Sequence, residues 1–180
     1  MTRVALIEEA RPGNDRVAVV FDQIRRELGF GMVPNLFRSM APRPAFLEAQ
    51  WALFRGTVLV GGLPRTLKEM VGILISQAND SRYALMVHLH SLSALGISEE
   101  VLKLLVEDFE NCPLPAREKA ALAFGRKVGV KAGSVTDADF ADLKAHGLSE
   151  ADVMELIATA VLFSGVNRYT DAINLAVDGE

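Results

Sequence analysis

Glu69 and His88 are the residues whose types and spacing most clearly indicate chemistry, and that chemistry is proton transfer. A strongly apolar segment follows Glu69, and a carboxylate in such surroundings rarely lacks a partner because burial disfavours its charge. His88 comes 19 positions after Glu69, beyond a break at Asn79-Asp80. An imidazole can accept or deliver a proton near neutral pH, and a nearby carboxylate can serve as a base or a relay. The pair therefore predicts an acid–base site in which both residues are catalytic.

Each residue of the pair also has a structural interpretation. Glu69 could be a surface carboxylate that pairs with Arg65 or Lys68, which lie four and one positions before it. His88 could be a hydrogen-bonded histidine of the core, as most histidines on apolar helices are. The sequence leaves both interpretations open beside the catalytic one.

Two helices must bring the pair together. The segment up to Asn79 has the pattern of the second half of one helix, and the segment from Ser81 has the pattern of the start of another. Ser81, Ala84 and His88 follow one another at spacings of three and four, so they share one face of the second helix.

This segment resembles the active-site segment of the alkylhydroperoxidase D-like, or carboxymuconolactone decarboxylase, superfamily. In its redox branch a Glu precedes a Cys-x-x-Cys pair at the head of the next helix, and a His follows one turn later. The two cysteine positions fall on Ser81 and Ala84, so the pattern is present without either thiol. Disulfide exchange needs one thiolate to attack and another to leave. A chain without thiols at these two positions therefore cannot use the usual peroxidase mechanism.

The resemblance extends over the chain from about residue 14 onward. The segments 31–62 and 163–168 resemble the peroxidase-related subgroup of the superfamily. The resemblance implies an all-α protein, an orthogonal helical bundle of the alkylhydroperoxidase D-like type, that forms a homo-oligomer (a dimer, trimer or hexamer). It implies a small-molecule substrate or ligand as the partner.

Three functions remain open under this resemblance. The first is acid–base chemistry on a small organic acid, as in the lactone decarboxylase branch, with His88 as general acid or base and Glu69 as its tuner. The second is thiol peroxidase activity, which the missing cysteine pair opposes. The third is ligand binding without catalysis, and the sequence favours the first over it only slightly.

Several further residues are candidates for the same site. Tyr83 and His90 lie seven positions apart and could bind substrate or pack at a subunit contact. Arg168 could anchor a carboxylate, or could pair with Asp171. Ser81 is predicted to cap its helix rather than to attack a substrate, because nothing beside it indicates an oxyanion hole.

Composition excludes several classes of protein. The chain has 180 residues, of which 50% are hydrophobic, and this predicts a single domain over residues 1–180. The net charge of −4 argues against nucleic-acid binding. One cysteine, Cys112, rules out an internal disulfide and is predicted to be a free thiol in a connector. No signal sequence and no membrane span are evident, so a cytoplasmic protein is expected.

Metal and cofactor motifs are weak in this sequence. His88 and His90 are two positions apart on a helix, so their imidazoles point in different directions. There is no His-Glu-x-x-His spacing, no phosphate-binding glycine loop and no nucleotide fingerprint. Neither a metal nor an organic cofactor is therefore expected.

Helical periodicity runs through the chain, and no segment alternates with a period of two. The predicted helices begin at Asn14 or Asp15, Met32, Pro44, Pro64, Ser81 and Ser98, and three more cover 115–132, 136–145 and 149–177. Pro64 is predicted to occupy the first turn of its helix.

An offset of 51 residues relates two parts of the chain. It pairs Leu63-Pro64 with Leu114-Pro115, Gly96 with Gly147, and Ser98 with Ser149. The pattern predicts a duplicated helical unit at about 63–112 and 114–163. The same offset carries Glu69 onto Ala120 and His88 onto Asp139, so only the first unit holds a candidate site.

Overall fold

The computed structural model describes residues 2–9, 13, 15–29 and 31–179. Within these ranges the chain forms nine α-helices and no strand, which confirms the predicted all-α class. The helices are α1 (Asp15–Glu27), α2 (Asn35–Met40), α3 (Pro44–Phe54), α4 (Arg65–Ala78), α5 (Arg82–Ala94), α6 (Glu99–Glu107), α7 (Ala116–Lys131), α8 (Asp137–Ala145) and α9 (Glu150–Ala172). A π-helical turn, Arg55–Leu59, continues α3, and 3-10 turns follow α6 and α7.

Some predicted helix boundaries are wrong. Pro34 and Pro64 stand in extended conformation just before α2 and α4, so α2 begins three residues later than predicted and Pro64 precedes the first turn of α4. The last helix ends at Ala172 rather than near 177, because Asn174 takes a left-handed φ of 50°. Asn14, one of the two predicted starts of α1, lies outside the described residues.

Helix α4 is the central element of the fold. Every residue from Leu67 to Ser76 is buried, and α4 packs against α5, α6, α7 and α9. A helix that is buried on all sides needs apolar residues all round, and the sequence of α4 supplies them. Any polar side chain on this helix, Glu69 included, must therefore find its partners inside the protein.

The connection between α4 and α5 is short. The backbone N–H of Asn79 bonds to the carbonyl of Ile75 at 2.9 Å, and that of Ser81 bonds to the carbonyl of Ser76 at 2.9 Å. Asp80 between them has a φ of 55°, a left-handed conformation that Asp tolerates better than most residues. This turn brings α5 back against α4, and it confirms the predicted break at Asn79-Asp80.

Two hydrophobic clusters form the core. One surrounds α4 and includes residues of α6 to α9. The other joins α1, α2 and α3 to the segment after α9, through Leu175 and Val177. Tyr83 on α5 belongs to the second cluster, so α5 lies where the two clusters meet. No helix in the described ranges is both long and apolar enough to cross a membrane.

Helix boundaries recur at the 51-residue offset found in the sequence. Helices α4 and α7 begin 51 residues apart, as do α6 and α9, and α5 and α8 end 51 residues apart. Gly96 and Gly147, which follow α5 and α8, have positive φ values of 85° and 76°. The matching boundaries are those expected for two copies of one unit, while the duplication itself stays a prediction.

Candidate active site

Glu69 and His88 meet inside the protein. Nδ1 of His88 lies 2.7 Å from Oε2 of Glu69, and the two residues are 6% and 3% exposed. A carboxylate oxygen accepts from the Nδ1–H of the imidazole, which leaves Nε2 unprotonated when the ring is neutral. In the described part of the chain no group hydrogen-bonds to Nε2. The pair is thus built like a base held in one tautomer by its carboxylate.

Arg65 contacts the second oxygen of Glu69. Its Nε lies 3.4 Å from Oε1, and its Nη1 donates to the carbonyl of Leu28 at 3.2 Å. Burial by itself raises the pKa of Glu69, but the hydrogen bond from His88 and the charges of His88 and Arg65 outweigh it and lower this pKa. Glu69 is therefore ionised at neutral pH, and the predicted pairing with Arg65 occurs in the interior rather than at the surface.

Lys68, the other predicted partner of Glu69, points elsewhere. Its Nζ donates to the carbonyls of Thr57 and Val60 at 2.9 and 2.8 Å and forms an ion pair with Glu155. The predicted pairing of Lys68 with Glu69 is therefore wrong. The buried ammonium group of Lys68 instead binds carbonyl groups of the π-helical turn after α3 and the residue that follows it, which would otherwise lack hydrogen-bond donors.

The ring of His88 lies directly on Gly72. A Cβ atom at Gly72 would stand 2.4 Å from both Cε1 and Nε2 of the imidazole. Phe163 packs against the ring at a centroid distance of 4.4 Å and an interplanar angle of 69°. Sequence reasoning missed both contacts, although Gly72 is a single glycine in an apolar helical pattern, which often marks a close approach.

The pair lines a small cavity of about 40 Å³. Its other polar lining residues are Arg65, Tyr83 and Ser91, and its apolar walls are Leu28, Pro34, Leu36, Phe37, Phe54 and Val87. Ser91 is buried, and its Oγ has no hydrogen-bond partner within the described ranges. It lies one turn after His88 on α5, and its sequence position alone gave no sign that it lines the cavity. A cavity of this size holds a water molecule, not a metabolite.

The model of the carboxymuconolactone decarboxylase family matches residues 44–127, a range that contains α4, α5 and the whole pair. This segment of the chain belongs to that family. The alkyl hydroperoxide reductase Rv2159c of Mycobacterium tuberculosis is 31% identical over 153 residues, which make up 84% of this chain and 43% of that protein. The chain thus spans less than half the length of this curated relative.

Two solved structures share the fold over nearly the whole chain. An uncharacterized peroxidase-related protein from Silicibacter sp. TM1040 has a TM-score of 0.88 at 24% identity, covering 99% of this chain and 92% of that one. An uncharacterized peroxidase-related protein from Ralstonia eutropha JMP134, described as an alkylhydroperoxidase AhpD core, has a TM-score of 0.84 at 25% identity. The match covers 97% of this chain and 94% of that one.

At the cysteine positions of the redox branch of the carboxymuconolactone decarboxylase superfamily, this chain has no reactive group directed at the pair. Ser81 donates from Oγ to Oδ1 of Asp171 at 2.7 Å, and Ala84 is buried. The predicted side-chain cap by Ser81 is wrong: Ser81 stands at the N-cap position of α5, but its side chain accepts no hydrogen bond from the helix backbone and its hydroxyl is directed at the carboxylate of Asp171 on α9. Neither Ser81 nor Ala84 is among the residues that line the 40 Å³ cavity.

Tyr83 is a wall of the cavity and is held by two hydrogen bonds. Its hydroxyl donates to Oδ2 of Asp178 at 2.9 Å and accepts from the backbone N–H of Leu36 at 3.0 Å. Burial and the charge of Asp178 raise the pKa of Tyr83 far above its ordinary value, so the phenol stays neutral. A contact between Tyr83 and a substrate remains a prediction.

His90 and Arg168 lie away from the pair. His90 is exposed and lines a separate pocket, next to Asp178. Arg168 is exposed on α9 and is not among the residues that line either cavity. The structure therefore does not bring Arg168 to the Glu69–His88 pair, because the face of α9 that packs against the site carries Phe163 instead. Asp171, its alternative partner, accepts from Ser81.

Cys112 is a free, buried thiol. Burial raises its pKa, and nearby Lys119 lowers it less, so the thiolate is disfavoured near neutral pH. It does not line the cavity of the pair. Among the residues that the structure describes, no group of three or more His, Cys, Asp or Glu side chains could hold a metal ion.

Proposed function

We propose that the protein catalyses proton transfer on a small organic molecule, with His88 as general base and then general acid and with Glu69 as the residue that orients and tunes it. The observation that carries the proposal is the buried contact of 2.7 Å between Nδ1 of His88 and Oε2 of Glu69. It fixes the tautomer in which Nε2 is the basic atom.

The reaction needs no redox partner. Nε2 takes a proton from an acidic C–H or O–H group of the substrate, and the electron pair that is left behind moves into the adjacent unsaturated system. The imidazolium ion that forms is stabilised by the ionised Glu69, and it returns the proton to another atom of the substrate. A base of this kind typically contributes about 10²- to 10⁴-fold to a rate.

The resemblance to the decarboxylase branch predicted a small organic acid as substrate, with Arg168 as a possible anchor for its carboxylate. Arg168 does not line the cavity of the pair, so it cannot bind a carboxylate there. Arg65 is the cation beside the pair, and Glu69 opposes its charge. The proposal therefore concerns proton transfer in an unsaturated substrate such as an enol lactone, and it does not rest on an acidic group in that substrate.

Deuterium incorporation in D₂O tests the proposal directly. The probes are α-angelica lactone, a neutral enol lactone, and its carboxymethyl analogue, followed by NMR. His88→Asn is expected to reduce enzyme-dependent exchange by about 10²- to 10⁴-fold. The matched control is His146→Asn, which replaces a histidine at the end of α8 that does not line the cavity. Equal exchange by His88→Asn and wild type would refute the role of His88.

Thiol peroxidase activity is the second candidate, because the Mycobacterium tuberculosis relative is named an alkyl hydroperoxide reductase. Serine and alanine at the cysteine positions and a buried Cys112 oppose it here. Cumene hydroperoxide with dithiothreitol is expected to show no consumption above background. Consumption that Cys112→Ser abolishes would favour peroxidase chemistry over proton transfer. Ligand retention without exchange or consumption would favour a binding protein.

A further inference from the structure

A second pocket adjoins the cavity of the pair. It has a volume of about 300 Å³ and is lined by Met32, Pro34, Val87, His90, Asp178 and Gly179. Pro34 and Val87 line both spaces, so these two side chains form the partition between the pocket and the Glu69–His88 pair. We call this space the outer pocket.

The outer pocket has the size of a ligand site, which the inner cavity lacks. Small-molecule sites typically begin at about 300 Å³, and a cavity of about 150 Å³ already holds benzene. Met32, Pro34 and Val87 give it apolar walls, and methionine adapts readily to ligands of different shape. A substituted ring therefore fits the outer pocket, and the partition would have to shift for that ring to reach His88.

The charge at the outer pocket is negative. Asp178 accepts from the backbone N–H of Asn35 at 2.6 Å and from the hydroxyl of Tyr83 at 2.9 Å. Both donors are neutral, so they hold the carboxylate in place without cancelling its charge. Neither Lys nor Arg occurs among the lining residues that the structure describes, and His90 is the second titratable side chain among them.

The cavity beyond the partition adds no net charge. Glu69 opposes the charge of Arg65 there, so Asp178 carries the net negative charge of the lining residues that the structure describes. A ligand that carries a carboxylate would lose its hydration and meet a like charge, whereas a neutral ligand with a hydroxyl group would meet acceptors.

We propose that the outer pocket binds a neutral, largely apolar organic molecule about the size of a substituted aromatic ring, and that it is the way by which substrate approaches His88 past Pro34 and Val87. The inference rests on the proposed function and names the substrate class of the same site. It selects against carboxylated molecules.

The three histidines of the chain make a site-resolved test available. Protein labelled with ¹³C at the histidine rings is titrated with para-cresol and, separately, with para-toluate, which has a carboxylate in place of the hydroxyl. We expect para-cresol to shift the His90 signal, and the His88 signal with it, while His146 stays unchanged. We expect para-toluate to bind about tenfold more weakly or less.

Two variants locate the binding and its selectivity. Met32→Trp fills the outer pocket from a position that is 42% exposed and should abolish the His90 shift. Met154→Trp, the matched control, alters a methionine that is 60% exposed on a different groove and should leave the shift intact. Asp178→Asn should bring the affinities for the two ligands to within about threefold. Thermal melts establish that each variant is folded.

The inference is overturned if para-toluate binds as well as para-cresol, if para-cresol shifts no His90 signal up to its solubility, or if Met32→Trp leaves the shift unchanged. Failure of the proposed function looks different. In that case para-cresol still binds at His90 with the expected selectivity, but His88→Asn leaves deuterium exchange unchanged.

Discussion

Gly72 determines where the His88 ring can lie, because any larger side chain would occupy the space of the imidazole. A Cβ atom there falls 2.4 Å from Cε1 and Nε2. Gly72→Ala should therefore displace the ring, break the bond to Glu69 and destabilise the protein by about 1–3 kcal/mol. Urea unfolding measures the stability, and the histidine NMR signals report the ring position.

Gly165 on α9 is the matched control for this substitution. Nothing lies within 4 Å of a Cβ built there, and the residue is exposed. Gly165→Ala should be neutral or stabilise the helix by about 0.5–1 kcal/mol. A Gly72→Ala variant that behaved like Gly165→Ala would show that the ring is not fixed by this contact.

Cys112 should react slowly as long as the protein is folded. Its thiol is buried and its pKa is raised, and the thiolate is the reactive form. Labelling with Ellman's reagent at neutral pH should be about 10²-fold or more slower in native protein than in urea. Equally fast labelling in both conditions would mean that the thiol is accessible, and it would make Cys112 available for peroxide chemistry.

Local spacing predicted the residues of the pair but not their surroundings. Glu69 and His88 lie on consecutive helices joined by a tight turn, and short-range patterns identify both helices and the turn. The partner of Ser81 is Asp171, 90 positions away, so no local pattern could show that its hydroxyl is engaged and does not cap α5. Asp178 reaches Tyr83 across 95 positions and was missed for the same reason.

At the scale of the helices, the predicted starts of α6 and α9 are confirmed, with Ser98 and Ser149 as their caps. Ser98 accepts from the backbone N–H of Val101, and Ser149 accepts from that of Asp152. Asp152 also accepts from the backbone N–H of Ser149 at 2.9 Å, which completes a capping box. These caps follow from neighbouring residues alone, and this explains why the sequence predicts them well.

Ser149→Ala should destabilise the protein by about 1 kcal/mol, because it exposes an N–H group at the start of the longest helix. Ser93→Ala is the control, since Ser93 is exposed within α5 and its change should stay within about 0.5 kcal/mol. Chemical unfolding of the two variants measures the difference. Equal stabilities would mean that water replaces the cap without cost.

At the scale of the whole molecule, the 51-residue offset explains why the site occurs once. The position equivalent to His88 is Asp139, which binds Lys127 at 2.7 Å and closes a capping box with Thr136. The position equivalent to Glu69 is Ala120. The sequence indicated this asymmetry, but it could not show that α4 alone of the two equivalent helices is buried along ten consecutive residues.

The ionised Glu69 should make the stability of the whole protein depend on pH in a defined direction. Its pKa in the folded protein is lowered from 4.5, so the folded state favours the carboxylate. This contribution is fully present above the pKa of Glu69 in the unfolded chain, about 4.3, and is lost as the pH falls through the lower folded-state pKa.

The Glu69→Gln variant lacks this contribution at every pH. We expect the stability advantage of wild type over Glu69→Gln to shrink as the pH falls below about 4.3. Urea unfolding at several pH values measures it, with Glu9→Gln at an exposed position as control for general carboxylate titration. An advantage that stays the same down to about pH 3 would mean that Glu69 is not held as a carboxylate by His88 and Arg65.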